Sequence, residues 1–70
     1  MTVGESMKAA RIKAGFTVTQ AEFKSGMSGS VIRDWERGKR VPLVSSAEVM
    51  ADTYGISIDE LVGHEVKSNG

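Results

Sequence analysis

Five glycines cut this 70-residue chain into short lengths: Gly15, Gly26, Gly38, Gly55 and Gly63. Each closes a stretch that can form a helix, where a helix end calls for a left-handed residue without a Cβ. The starts of those stretches carry matching signals. Thr17 and Gln20, Ser45 and Glu48, and Ser57 and Glu60 each stand three apart, as the two halves of an N-terminal capping box do. Ser28, just after Gly26, is a plain N-cap. No run of alternating apolar and polar residues is long enough to make a useful strand. Starts and stops together predict an all-α chain of five helices, over about 5–14, 18–25, 29–37, 45–54 and 58–62. They define one domain over residues 1–63 and a polar tail, HEVKSNG, over 64–70.

A chain this short buries little, so every helix must supply a packed face. In the first helix Met7, Ala10, Arg11 and Ala14 follow the i, i+3, i+4, i+7 spacing, and in the third Ile32, Trp35 and Glu36 do the same. Both stripes contain a charge. A lone buried charge is costly, whereas an opposite pair is tolerated. The simplest solution is an ion pair between Arg11 and Glu36 that ties the first helix to the third, a structural feature rather than a catalytic one. Leu43, Ala47, Met50, Ala51 and Tyr54 form the stripe of the fourth helix, and Ile56, Ile58, Leu61 and Val62 supply the last apolar cluster.

The chemistry-bearing residues point away from catalysis. There is no cysteine, so neither a disulfide framework nor a thiolate zinc site can form, and a reducing, cytoplasmic setting fits. The single histidine, His64, lies in the polar tail, the carboxylates are dispersed, and no residues cluster as metal ligands or suggest a cofactor. Gly26-Met27-Ser28-Gly29-Ser30 lacks the final glycine and the preceding sheet of a nucleophile elbow, and Gly38-Lys39 lacks the rest of a phosphate-binding loop. No segment has the length of a membrane span. Net charge is zero, but residues 1–40 carry eight basic against four acidic residues, whereas residues 41–70 carry one against five. A module with one DNA-facing half has such a distribution, as does chance clustering in a short chain.

The second and third helices are separated by Gly26-Met27-Ser28, and a short helix, a tight glycine-containing turn and another helix make the helix-turn-helix pattern. Here the sequence resembles the lambda-repressor-like, Cro/CI (Xre) family of regulators. The resemblance covers Met7 to Gly63 and is carried by Arg11, Gly15-Phe16-Thr17, Gly26-Met27-Ser28, Ile32, WERGKRVP over 35–42 and GISIDEL over 55–61. It implies a five-helix lambda-repressor-like domain with the third helix in the DNA major groove. Gly29, Ser30, Val31, Arg33 and Asp34 would then face the bases. Ser28 would cap the recognition helix and, with Thr17, Val18, Arg37, Lys39 and Arg40, lie at the DNA backbone. Arg11 and Glu36 match a pair that the family uses structurally.

Several positions depart from the family pattern. Val18 replaces a glutamine that often bonds phosphate, so the Thr17 hydroxyl or backbone N–H groups must serve. Glu22 stands where a small alanine is usual, an awkward choice against the third helix. In the standard register Phe23 points outward: either it is an exposed contact, or a local shift of the second helix buries its ring, which is the expected arrangement. Gly29 reads nothing by side chain but gives clearance. Val31 fits a thymine methyl; Arg33 fits guanine or a phosphate; Asp34 fits cytosine N4, or a neighbouring Arg33 or Arg37.

Two functions remain. The first is a sequence-specific transcriptional regulator, a repressor by resemblance, that binds double-stranded DNA as a homodimer, with Tyr54, Leu61 and Val62 either candidates for the dimer contact or simply core residues. The second is a protein-interaction module of the same fold with weak or no specific DNA binding, favoured by the neutral charge, Gly29, Val18 and Phe23 if its ring is exposed.

Overall fold

The structure, a computed structural model, describes residues 2–63. The expected tail with His64 lies outside the described residues. Five helices follow one another: α1 (Val3–Lys13), α2 (Val18–Ser25), α3 (Gly29–Arg37), α4 (Val44–Tyr54) and α5 (Ile58–Val62). α1 packs on α3 and α5, α2 on α3 and α4, and α4 on α5. The core holds Met7 of α1, Ala21 of α2, Ile32 and Trp35 of α3, Ala47, Met50, Ala51 and Tyr54 of α4, and Leu61 of α5. Every helix therefore contributes, as so short a chain requires.

The capping boxes of α2 and α5 form at Thr17–Gln20 and Ser57–Glu60. All five punctuating glycines adopt positive φ, between 72° and 85°. Two helix starts differ from expectation. α1 begins earlier, because Thr2 and Glu5 make a further capping box: Glu5 N–H donates to Thr2 Oγ1 at 3.1 Å and Thr2 N–H to Glu5 Oε1 at 2.9 Å. α4 also begins earlier, and the Ser45–Glu48 box does not form. The Leu43 carbonyl already accepts the Ala47 N–H at 2.9 Å, so Ser45 sits inside the first turn, where its hydroxyl cannot cap. Leu43 is the N-cap residue, with no side-chain cap bond, and is 74% exposed rather than part of the buried stripe.

Gly4 was not singled out by sequence, yet it sets how closely α1 and α3 approach. A Cβ at this buried position would run into the Trp35 carbonyl oxygen and lie 2.8 Å from that of Glu36. The first turn of α1 thus lies against the last carbonyls of α3, bringing opposite ends of two helix dipoles together. Ser6, also buried, ties α1 to α5 by donating to the Glu60 carbonyl at 3.4 Å.

Tyr54 closes α4 with its ring 6.0 Å from that of Phe16. Burial, then the nearby Glu36 carboxylate, push its hydroxyl up to about 12, against an opposing effect of Arg11. The raised value means that the folded state holds this proton more tightly than the unfolded chain. The resulting stability is present below pH 10 and is lost as pH rises from 10 through 12. In urea melts, Tyr54→Phe should therefore lose less stability than the wild type over that window and run parallel to it below pH 9. Parallel curves throughout would mean that the hydroxyl ionises freely in the fold.

Candidate nucleic-acid interface

Three residues separate α2 from α3, and each is fixed locally. Gly26 ends α2 with φ 79°. The Met27 N–H donates to Ser25 Oγ at 3.1 Å while its side chain packs on the core. Ser28 opens α3 by accepting the Val31 N–H at 3.2 Å. Ile32 and Trp35 then anchor the inner face of α3, which leaves Ser30, Arg33 and Arg37 exposed on the outside. A helix held by its inner face and bare on the other has the shape that enters a major groove.

The Arg11–Glu36 pair holds α3 against α1. Arg11 Nε donates to Glu36 Oε2 at 2.8 Å and Nη2 to Oε1 at 3.1 Å, a bidentate arrangement, while Nη1 donates to the Phe16 carbonyl at 2.9 Å. Both side chains are about nine-tenths buried. The hydrogen bonds to Glu36 raise the Arg11 pKa above the ordinary guanidinium value, against desolvation, so Arg11 stays charged. With all three nitrogens engaged, it is a fastening and not a free cation.

The α2 N-terminus lies beside this pair. Lys8, Arg11, Val18, Arg33, Glu36 and Arg37 line a cleft of about 220 Å³. Thr17 caps α2: its hydroxyl oxygen accepts the Gln20 N–H at 3.1 Å, and its own N–H donates to Gln20 Oε1 at 2.8 Å. That leaves the hydroxyl proton of Thr17, together with the N–H groups of Val18 and Thr19, which have no intrahelical partner. The Val18 side chain is half-buried against the core. Lys8 was missed by sequence reasoning. It lies four residues before the exposed Ile12, off the buried stripe, and only the packing of α1 beside α2 and α3 brings it to this cleft.

Past α3, Gly38 turns the chain with φ 82°, and the Asp34 carbonyl accepts the N–H groups of Lys39 at 2.9 Å and Arg40 at 3.3 Å. The turn brings Arg40 Nε to 3.4 Å from Asp34 Oδ2. Asp34 is thus paired with Arg40, not with Arg33 or Arg37. The pair is partly exposed and contributes little to stability, about 0–1 kcal/mol. Arg37 and Lys39 are exposed. The described cations all lie in α1 to α3 and the turn that follows, whereas α4 and α5 carry Glu48, Asp52, Asp59 and Glu60. The charge asymmetry of the sequence is thereby an asymmetry between α1–α3 with their following turn and α4–α5.

Four expectations are corrected. Phe23 is not buried by a shift of α2; it is 90% exposed, beside Phe16, Thr19, Gln20 and Lys24. The Thr17 box and the Gly26 cap fix both ends of the helix, and Ala21 with half-buried Val18 and Ser25 fills its inner face. Residue 23 lies about 200° round the helix from Ala21. Gly29 does not lie open on the outer face; it is buried, with Glu22 and Arg33 lying over it. Leu61 is fully buried and Tyr54 nearly so, which removes both as exposed dimer contacts; Val62 is half-buried. Val31 is half-buried and packs partly on the core, so only part of its side chain faces outward.

A helix-turn-helix family model matches residues 7–61, from the middle of α1 to the core leucine of α5. The chain belongs to the Cro/CI-type helix-turn-helix family. Within that family it is 37% identical over 65 residues to the immunity repressor protein of Bacillus phage phi105, covering 93% of this chain and 45% of that protein. It is 31% identical over 65 residues to the HTH-type transcriptional regulator ImmR of Bacillus subtilis strain 168, covering 93% of this chain and 51% of that regulator. The chain therefore spans about half the length of these two relatives.

Proposed function

We propose that this helix-turn-helix chain is a sequence-specific DNA-binding transcriptional regulator of repressor type, cytoplasmic, which inserts α3 into the major groove of a two-fold-symmetric operator as a homodimer. The observation that carries the reading is the outward face of α3, anchored by Ile32 and Trp35 and flanked by exposed cations. Ser30 and Arg33 face the bases, Val31 offers a partial apolar edge, and Asp34 is held back by Arg40. Ser28, Thr17 and the first N–H groups of α2 approach the phosphates, joined by Lys8, Arg37, Lys39 and Arg40. Similarity to two proteins named as a repressor and a transcriptional regulator supports the repressor assignment.

The test is selection of bound duplexes from random DNA at defined salt, followed by titration of the selected duplex. A half-site repeated about one DNA turn apart is expected, with affinity that falls steeply as salt rises. Arg33→Ala should relax preference at one base pair per half-site, by about 1–3 kcal/mol of discrimination. Lys39→Ala should weaken all sequences alike and reduce the log–log salt slope by about one. A uniform loss from Arg33→Ala, with preference intact, would instead assign Arg33 to a phosphate.

The exposure of Phe23 favours a second reading, a protein-interaction module. Phe23 and its neighbours Phe16, Thr19, Gln20 and Lys24 form a mostly apolar depression on the outer side of α2. A flat salt slope, with no duplex enriched over random DNA, would support that reading instead.

A further inference from the structure

Asp34 stands on the outer side of α3, opposite the face that Ile32 and Trp35 bury. It follows Ser30 by four residues, about 40° round the helix, on the same arc as Arg33 and Arg37. An acid at that place repels the DNA backbone unless it serves another group. Two separate contacts tie it to the turn after α3. Its carbonyl accepts the N–H groups of Lys39 at 2.9 Å and Arg40 at 3.3 Å, so the backbone of the turn folds back on this one residue. Its carboxylate oxygen Oδ2 lies 3.4 Å from Arg40 Nε. Nε is the inner nitrogen of the guanidinium, so pairing through it leaves the fork of Nη1 and Nη2 at the far end. The Arg40 side chain is 63% exposed and that of Asp34 only 27%, which makes the acid the more enclosed of the two.

We infer that Asp34 is a positioning residue for Arg40: its carboxylate takes Nε, and the Nη fork is presented to a phosphate of the DNA backbone. The acid then reads no base, and its charge is offset by an arginine that meets both it and the phosphate. This rests on the DNA-binding function proposed above. Arginine suits the task because its planar group donates in several fixed directions, whereas a lysine ammonium is a compact point charge. A long side chain loses rotamer freedom when it grips a phosphate. An ion pair made beforehand moves part of that ordering into the free protein. Because the turn also closes on the Asp34 carbonyl, backbone and side chain hold Arg40 to the same residue.

The test is a double-mutant cycle on affinity: wild type, Asp34→Ala, Arg40→Ala and the double variant, each titrated with the selected duplex and with single-base-pair variants of it. Melting curves check the fold, which these changes should leave intact because the Asp34 carbonyl remains. Arg40→Ala should weaken all sequences alike. In that background Asp34→Ala removes only a repelling charge and should tighten binding. With Arg40 present it also releases the guanidinium, so its effect should be less favourable by roughly threefold, the scale of an exposed ion pair. Arg40→Lys should lose affinity although it keeps the charge. In the DNA-free protein, NMR relaxation of the Arg40 Nε–H group should show freer motion after Asp34→Ala; unchanged motion overturns the pairing whatever the DNA result. Four results on DNA overturn the inference and leave the DNA-binding function standing. An equal effect of Asp34→Ala in both backgrounds makes Arg40 independent of Asp34. A larger gain with Arg40 present means that the carboxylate withholds the guanidinium from phosphate. A relaxed preference at one base pair makes Asp34 a base reader. An Arg40→Lys variant as tight as the wild type shows that the fork is not used. A wild type that selects no duplex and has a flat salt slope removes the DNA-binding function, and this inference with it.

Discussion

Replacing Glu36 by alanine should cost about 3–5 kcal/mol, because it leaves a buried arginine without its counter-charge. Arg11 is about nine-tenths buried, and two of its three donating nitrogens end on the Glu36 carboxylate. A domain of this length has only about 3–9 kcal/mol of net stability, so the variant should be largely unfolded at room temperature. Circular dichroism during urea or thermal melts measures the effect. A loss of a few tenths of a kcal/mol would show that water reaches the pair and that it behaves as a surface salt bridge. The double variant Arg11→Met/Glu36→Met separates a stranded charge from a missing contact. It removes both charges from the interior and should recover much of the loss, though the Phe16 carbonyl then loses the donor it has at 2.9 Å. If the double variant is as unstable as Glu36→Ala, the penalty comes from packing rather than charge.

Gly4→Ala should destabilise by about 2 kcal/mol or more, against the usual sign of such a change. In a helix, alanine normally gains about 1 kcal/mol over glycine. At position 4 the added methyl meets backbone, the carbonyls of Trp35 and Glu36, and backbone cannot swing away as a side-chain tip can. α1 must lift from α3, which also stretches the Arg11–Glu36 pair further along the same interface. A fall in Tm on the order of 10 °C follows for a domain this small. A rise in Tm would mean that the two helices are less tightly apposed than the structure has them.

The gap between these two positions marks how far the sequence could be read. Arg11 and Glu36 were legible because each interrupts an apolar stripe at helical spacing, and two unlike charges on core-facing stripes have one cheap solution. Gly4 sits in a first turn with no turn signal, and its demand comes from a neighbouring helix 31 residues away in the chain. Of the candidate interface, the turn between α2 and α3 and the outer face of α3 could be anticipated. The place of Lys8 in the cleft, the Arg40–Asp34 contact and the covering of Gly29 could not, since each joins residues from separate elements or across a turn. Phe23 shows the limit most plainly. Its hydrophobicity argued for burial, but the cap at each end of α2 and the small inner-facing Ala21 fix the rotation of the helix and leave the ring outside.

Sequence by itself determined the number of helices, where most of them stop, the capping of α2, α3 and α5, and the ion pair between α1 and α3. These follow from interactions within four residues or from a repeating stripe, and both are written along the chain. Tertiary structure alone decided that α4 starts at Val44 instead of behind a Ser45 cap, that Phe23 stays outside, that Gly4 admits no side chain, and that Lys8 joins the cleft beside α2 and α3. Those outcomes depend on which atoms a second element brings into the same few ångströms, and close packing settles that only once all the helices are in place.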